Sequence, residues 1–81
     1  GMMRALRRAH IQEQLELNER ELEFLRHSVS ELSYKEIGAV MGVGQRTVES
    51  YRDILFEKLE VRSRIGLALT ALRLGVVQLS E

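Results

Sequence analysis

The sequence predicts an all-α fold, and three observations support this prediction. The chain of 81 residues contains no proline. No segment alternates apolar and polar residues with the period of a strand, whereas several segments repeat apolar residues every three or four positions. A helix start signal precedes most of these segments. With 44% hydrophobic and 30% charged residues, the composition is typical of one small globular domain with a packed core.

The composition also excludes several classes of function. Without cysteine, the chain has no disulfide framework and no thiolate zinc site. It has no Gly-rich phosphate loop, nucleophilic triad or metal-ligand spacing, so we expect no enzyme, no metal and no cofactor. No apolar run approaches the roughly 20 residues of a membrane helix and no signal peptide is present, so we expect a cytoplasmic protein without a membrane partner. The 12 basic residues balance 12 acidic ones, and nucleic-acid binding therefore cannot be argued from a basic excess.

The first 16 residues differ from the rest of the chain. Gly1 before Met2 is typical of an expression scar. The pattern of residues 2–16 predicts an additional N-terminal linker helix that is only loosely amphipathic. Its three arginines lie near the start and its two glutamates near the end, which opposes the helix dipole. We therefore assign residues 1–16 to the scar and linker helix and residues 17–81 to the folded domain.

Two capping boxes predict the next two helices. Asn18 and Glu21 are spaced so that each side chain can bond the other's backbone N–H, and Ser33 and Glu36 repeat this arrangement. One helix therefore begins directly after each cap. The first runs to about residue 28, and the second ends at Gly42, where glycine can adopt the left-handed conformation.

A third helix is predicted from Gln45 to about Leu59. At roughly 100° per residue, its apolar side chains share one stripe, which consists of Val48, Tyr51, Leu55 and Leu59. The opposite side is polar and consists of Arg46, Glu49, Ser50, Asp53 and Glu57. One side of this helix is therefore expected in the core and the other in contact with solvent or a ligand.

Ser63 and Gly75 bound a fourth helix, from Arg64 to Leu74, that has two apolar sides. We expect the core to use the side formed by Ile65, Ala68, Leu69 and Leu72. The other side would then be free to contact a second copy of the chain, unless the linker helix folds back over it; it consists of Leu67, Thr70, Ala71 and Leu74.

The second and third helices have the layout of a helix-turn-helix. A short helix, a tight turn with glycine and a longer helix with a free polar side are typical of this motif, whose second helix enters the DNA major groove. The groove is about 12 Å wide and admits one helix. Helical hairpins are common, however, and the spacing alone leaves a helical interaction module as an equal alternative.

Five segments in order and at matching spacing resemble the LuxR/FixJ/GerE-type four-helix DNA-binding domain. They are Leu17-Asn18-Glu19-Arg20-Glu21 through Leu25, Leu32-Ser33-Tyr34-Lys35-Glu36-Ile37, Arg46-Thr47-Val48-Glu49, Leu55-Phe56-Glu57-Lys58-Leu59 and Val61-Arg62-Ser63-Arg64. The resemblance covers residues 17–77. It implies a four-helix helix-turn-helix bundle that binds specific double-stranded DNA and regulates transcription, often as the C-terminal output domain of a two-component response regulator.

The resemblance also implies two classes of DNA contact. We expect phosphate contacts from Lys35, Arg46, Thr47 and Lys58. We expect contacts to base edges from Glu49, Ser50, Arg52 and Asp53, with Arg52 as a candidate guanine reader. Because relatives pair through their last helix, we also expect a homodimer with its two recognition helices about 10 base pairs apart.

The recognition side departs from the family pattern in its charge. Members often carry lysine at the position of Glu49, and here three carboxylates against one guanidinium leave a net charge of −2 on the polar side. A carboxylate cannot attract phosphate, but it can accept a hydrogen bond from the cytosine N4 amine. Two alternatives therefore stay open. One is a promoter reader similar to region four of sigma factors, which works on RNA polymerase, and the other is a helical protein-interaction module that no longer binds DNA.

Overall fold

A computed structural model describes residues 15–77 of the chain. Within this range it contains four α-helices and no strand: α1 (Glu19–His27), α2 (Tyr34–Met41), α3 (Gln45–Leu59) and α4 (Arg64–Leu74). The predicted all-α fold and the order of its four helices are confirmed. The linker helix predicted for residues 2–16 lies almost entirely outside the described residues. None of the helices within residues 15–77 is long and apolar enough to cross a membrane.

Side-chain caps begin three of the four helices. The Asn18 side chain accepts the N–H of Glu21 at 2.7 Å, and the Glu21 carboxylate accepts the N–H of Asn18 at 3.0 Å. Ser33 and Glu36 form the same reciprocal pair at 3.1 and 2.8 Å. The hydroxyl of Ser63 accepts one N–H of the first turn of α4. Both predicted capping boxes are therefore present, and each satisfies donors that the start of a helix leaves without an intrahelical partner.

The core lies where the four helices meet and is almost entirely apolar. Its largest fully buried side chains come from every helix and consist of Leu22, Phe24, Leu25, Ile37, Val48, Leu55 and Leu67. The ring of Phe24 lies 6.0 Å from that of Tyr34 and 6.2 Å from that of Tyr51. These tilted rings join α1, α2 and α3, so the aromatic residues of the described range pack within the fold.

The prediction for the two sides of α4 is wrong. Leu67 and Ala71 are fully buried and Thr70 is only 8% exposed, whereas Ile65 is 72% exposed and Leu69 is 57% exposed. Leu74, the fourth residue of the predicted dimer side, is half-buried. The side expected to face a second copy is therefore largely the side that the core uses.

Small residues explain which side of α4 faces inward. Leu67 has Thr70 and Ala71 as its neighbours on the helix surface, and small side chains let a helix approach the layer beneath it. A Cβ added at Gly66 would lie 3.0 Å from the Cβ of Val61, so α4 starts in close contact with the segment before it. Hydrophobicity alone did not distinguish this side from the other, because both carry aliphatic residues.

Two glycines shape the turn between α2 and α3. Gly42 ends α2 with a φ of 74°, in the left-handed region that glycine adopts without strain. Gly38 is buried within α2, and a Cβ there would lie 2.8 Å from the carbonyl oxygen of Val43. The turn therefore folds directly against α2, and this close approach sets how α3 leaves the scaffold helix.

Candidate nucleic-acid interface

The outward side of α3 carries two rows of residues spaced four apart. The acidic row consists of Gln45, Glu49, Asp53 and Glu57, and the mixed row consists of Arg46, Ser50, Ile54 and Lys58. All of these residues are exposed except Glu49, which is half-buried. Residues at this spacing are neighbours on a helix, so α3 presents two chemically different strips side by side.

Neighbours on α3 hold the two carboxylates that were predicted to read bases. The Glu49 carboxylate accepts a hydrogen bond from Nε2 of Gln45 at 3.1 Å. The Asp53 carboxylate accepts a hydrogen bond from Nε of Arg52 at 2.9 Å, and Nη2 of the same guanidinium lies 2.9 Å from the same oxygen as an ion pair. Like charges four residues apart repel each other by a few tenths of a kcal/mol, and these donors offset that repulsion. Glu49 and Asp53 are therefore oriented before any ligand arrives.

Arg52 lies at the flank of α3 and is half-buried. Its guanidinium carbon is 5.6 Å from the ring centre of Tyr34 and 6.0 Å from that of Phe56, within the range of cation–π attraction. Together with the ion pair to Asp53, these contacts hold the guanidinium beside α2. Base reading by Arg52 stays a prediction, and such reading requires the side chain to leave these partners.

Lys35 and Arg46 are exposed cations with no ion-pair partner within residues 15–77. Arg46 lies in the first turn of α3 and Lys35 in that of α2. Thr47 is exposed beside Arg46, and the hydroxyl of Ser50 donates to the Arg46 carbonyl oxygen at 3.2 Å. Of the three cations predicted to contact phosphate, Lys35 and Arg46 are therefore available to a ligand.

The N-terminus of α3 is open, unlike those of the other helices. Gly44 supplies no side-chain cap, and the first turn contains no acidic residue. The first N–H groups of a helix and its dipole favour an anion. Glycine costs only a few tenths of a kcal/mol at this position relative to serine or threonine, so the helix loses little stability by keeping this end free.

Lys58 connects α3 to the segment before α1. Its ammonium donates to the carbonyl oxygen of Glu16 at 2.6 Å and to the carboxylate of Glu21 at 3.1 Å. Glu21 is buried and is also part of the first capping box. The phosphate contact predicted for Lys58 stays a prediction, but the structure gives this cation two protein partners that Lys35 and Arg46 do not have.

Sequence reasoning missed two features of this region. Ile54 is 39% exposed on α3, although its angular position between Ser50 and Lys58 could have been found from the helical period. Arg64 donates to the carbonyl oxygens of Ser28 and Ser30 at 3.2 and 2.8 Å, and its guanidinium carbon lies 5.3 Å from the Tyr34 ring centre. No sequence signal indicated the contacts of Arg64, because they join residues at least 30 positions apart.

No group of three or more metal-ligating side chains occurs in the part of the chain that the structure describes. The arrangement that does occur is a short scaffold helix, a turn closed by a left-handed glycine and a longer helix with its polar side exposed. These features define a helix-turn-helix domain of the class that places a helix in the DNA major groove.

Comparison with known proteins identifies the family. Residues 15–71 match the family model of the luxR family of bacterial regulatory proteins. The chain belongs to this family. The chain is also 39% identical over 61 residues to the uncharacterized response regulatory protein YgeK of Escherichia coli (strain K12). That match covers 75% of this chain and 42% of the relative, so the chain spans about two fifths of the relative's length. No solved structure matches the chain significantly.

Family membership confirms the resemblance found in the sequence. The domain is a LuxR-type helix-turn-helix, a DNA-binding domain of bacterial transcription regulators. Within the described residues, α2 is its scaffold helix and α3 is its recognition helix.

Proposed function

We propose that the chain binds specific sequences of double-stranded DNA through α3 and thereby regulates transcription. The exposed polar side of α3 carries this proposal, because no other part of residues 15–77 covers it. A helix whose outward side is free and polar fits the width and the hydrogen-bonding edges of the major groove. The role is one of binding, with no catalytic step.

In this proposal, phosphate contacts position the domain and the acidic row selects the sequence. Lys35, Arg46 and Thr47 contact phosphates, which fixes the register of α3 on the duplex. Glu49 and Asp53 accept hydrogen bonds from cytosine N4 amines and repel sites that present only acceptors. The acidic row therefore contributes more to specificity than to affinity.

A salt titration tests the proposal. The purified chain is first used to select duplexes from a random-sequence pool, and the affinity for a recovered duplex is then measured at several salt concentrations. We expect log affinity to fall linearly with log salt, with a slope of about −0.9 per neutralised phosphate. A flat response or no recovered duplex would instead support a protein-interaction module. Binding that appears only when RNA polymerase is added would support the promoter reader.

A matched pair of variants tests base readout by the acidic row. Glu49→Ala removes a carboxylate from α3, whereas Glu31→Ala removes an exposed carboxylate before α2 and changes the net charge equally. We expect Glu49→Ala to change the preference at one base pair by about 1–3 kcal/mol and Glu31→Ala to leave all preferences unchanged. If Glu49→Ala tightens binding to every duplex equally, the carboxylate does not read a base.

We also propose that the chain binds DNA as a homodimer through α4. The residues first predicted to form the dimer contact are largely buried; they are Leu67, Thr70, Ala71 and Leu74. The proposed dimer contact is therefore formed by the exposed pair Ile65 and Leu69. This pair is spaced four residues apart, so the two side chains form one apolar strip on the helix surface. A two-fold dimer doubles the phosphate contacts, which compensates for the absence of a net positive charge, and it requires two half-sites about 10 base pairs apart.

The relative's description supports a place for this domain in a longer regulator. Because YgeK is described as a response regulatory protein, we propose that residues 17–81 act as the output domain of a response regulator, with RNA polymerase as a further partner. The test compares operator affinity of the gene's full product before and after treatment with acetyl phosphate. An affinity that does not change upon phosphorylation would contradict this role.

A further inference from the structure

We propose that Ile54 determines sequence specificity by contacting the C5-methyl group of a thymine in the major groove. The inference rests on the proposed function and deepens it, because it assigns one base to a residue that sequence reasoning did not place at the interface. It concerns the mixed row of α3 and is independent of the acidic row.

Ile54 differs from the other exposed apolar residues in its position. The large apolar side chains exposed within residues 15–77 are Val40 on α2, Ile54 on α3, and Ile65 and Leu69 on α4. Among them, Ile54 alone belongs to the recognition helix. It lies one turn after Ser50 and one turn before Lys58, within the strip that faces away from the core. A helix that enters the groove with Ser50 near the bases therefore carries Ile54 with it.

Three polar residues beside Ile54 have partners of their own. Ser50 donates to a backbone carbonyl oxygen, Asp53 accepts from Arg52, and Lys58 donates to Glu16 and Glu21. In the free protein, Ile54 is thus the apolar group between oriented polar groups. Its β-branched side chain has one strongly preferred rotamer in a helix, so its methyl groups are presented in a defined direction.

The major groove offers one apolar group on its base edges. This group is the C5-methyl of thymine, and the other groups on the edges are hydrogen-bond donors and acceptors. Water is removed from both apolar surfaces when Ile54 contacts this methyl group, which is favourable. A cytosine at the same position has only a hydrogen on C5, so the apolar contact is lost. Ile54 therefore favours thymine.

The experiment removes the methyl group from the DNA without changing any hydrogen bond. Duplexes selected by the unmodified chain are resynthesised with deoxyuridine in place of each thymidine in turn. For the unmodified chain, we expect one replacement per half-site to weaken binding about fourfold, the equivalent of one buried methyl-sized group. For Ile54→Ala, we expect the thymidine and deoxyuridine duplexes to bind equally.

Two further variants control this measurement. Val40→Ala shortens an exposed β-branched residue on α2 and should keep the fourfold discrimination of the unmodified chain. Ile54→Val keeps the β-branch and should retain part of the discrimination. Thermal unfolding checks the fold of each variant, and we expect Ile54→Ala to fold because alanine is favourable in an exposed helical position.

Three outcomes overturn the inference, and they separate it from the proposed function. If Ile54→Ala binds DNA and still discriminates thymidine from deoxyuridine, Ile54 does not read the methyl group, although DNA binding stands. The same conclusion follows if no deoxyuridine replacement weakens binding of the unmodified chain. If no duplex of any sequence is bound, the proposed function fails and the inference fails with it.

Discussion

The solvent-facing surfaces of α3 and α4 differ in polarity. The outward side of α3 carries three carboxylates, two cations and a single isoleucine, whereas that of α4 carries Ile65 and Leu69, followed by Arg73 in its last turn. Their inward sides are alike, because Val48 and Leu55 of α3 and Leu67 and Ala71 of α4 are all fully buried. The comparison shows that one small core can support a surface suited to a charged groove and another suited to an apolar partner.

The two surfaces should respond differently to salt. Contacts of Lys35 and Arg46 with phosphates release counterions and weaken as salt increases. Burial of Ile65 and Leu69 against a second copy depends on the removal of apolar surface from water, at about 1.5–3 kcal/mol per fully buried side chain, and simple screening does not weaken it. High salt should therefore separate the dimer from DNA without dissociating the dimer.

The largest expected effect separates the inward from the outward side of α4. Leu67→Glu places a charge in the core, and we expect it to destabilise the fold by at least about 3 kcal/mol, since burying an unpaired charge adds to the lost packing. Leu69→Glu, at an exposed position, should change stability by less than about 0.5 kcal/mol and should lower the dimer fraction. Chemical denaturation and sedimentation measure the two effects. Equal stability of both variants would contradict the burial of Leu67.

The next largest effect distinguishes Lys58, whose ammonium contacts the segment before α1 and Glu21, from Lys35, which has no ion-pair partner in the described range. Lys58→Ala leaves the buried carboxylate of Glu21 without its ammonium partner, and we expect a loss of about 1–3 kcal/mol of stability. Lys35→Ala removes an exposed cation with no ion-pair partner in the described range, so stability should stay the same while DNA affinity falls. Thermal unfolding of both variants checks this contrast. A stable Lys58→Ala chain would show that the contact to Glu21 contributes little.

Removal of one free cation from α3 should affect DNA binding and leave the dimer unchanged. We expect Arg46→Ala to weaken binding to all duplexes similarly and to make the slope of log affinity against log salt smaller in magnitude by about 0.9. The dimer fraction should not change, because Arg46 and the Ile65 and Leu69 pair lie on different helices. A slope that stays the same would indicate that Arg46 contacts no phosphate.

The smallest effect concerns the capping box that supports the scaffold helix. The backbone N–H of Ser33, and then its hydroxyl, lower the pKa of the exposed Glu36 carboxyl below its ordinary value of 4.5. A lowered pKa means that the carboxylate stabilises the fold above pH 4.5, and that this contribution is lost as the pH falls through the folded pKa.

A pH series therefore tests the box directly. The melting temperature of the unmodified chain should exceed that of Glu36→Gln at neutral pH, and the two should converge at a pH below both pKa values. Glu31→Gln, at an exposed residue outside the box, should show no such convergence. A constant difference between the unmodified chain and Glu36→Gln across the series would contradict the ionic part of this cap.

Local signals explain why the helices were predictable. Asn18 and Ser33 bond N–H groups three residues away, and Gly42 ends α2 through its own φ. Such interactions lie within one turn of a helix, so they can be found from short sequence patterns. The polar side of α3 was predictable for a related reason, because its charged residues cannot be buried without partners.

The sequence by itself therefore determined the helix bounds, the turn and the polar side of α3. Only the tertiary structure decided which apolar side of α4 faces the core, because two aliphatic stripes on one helix have nearly equal hydrophobicity and the fit against the neighbouring helices distinguishes them. It also decided which cations are free, since the partner of Lys58 is Glu21, which is 37 positions away, and a sequence pattern does not show contacts over that distance.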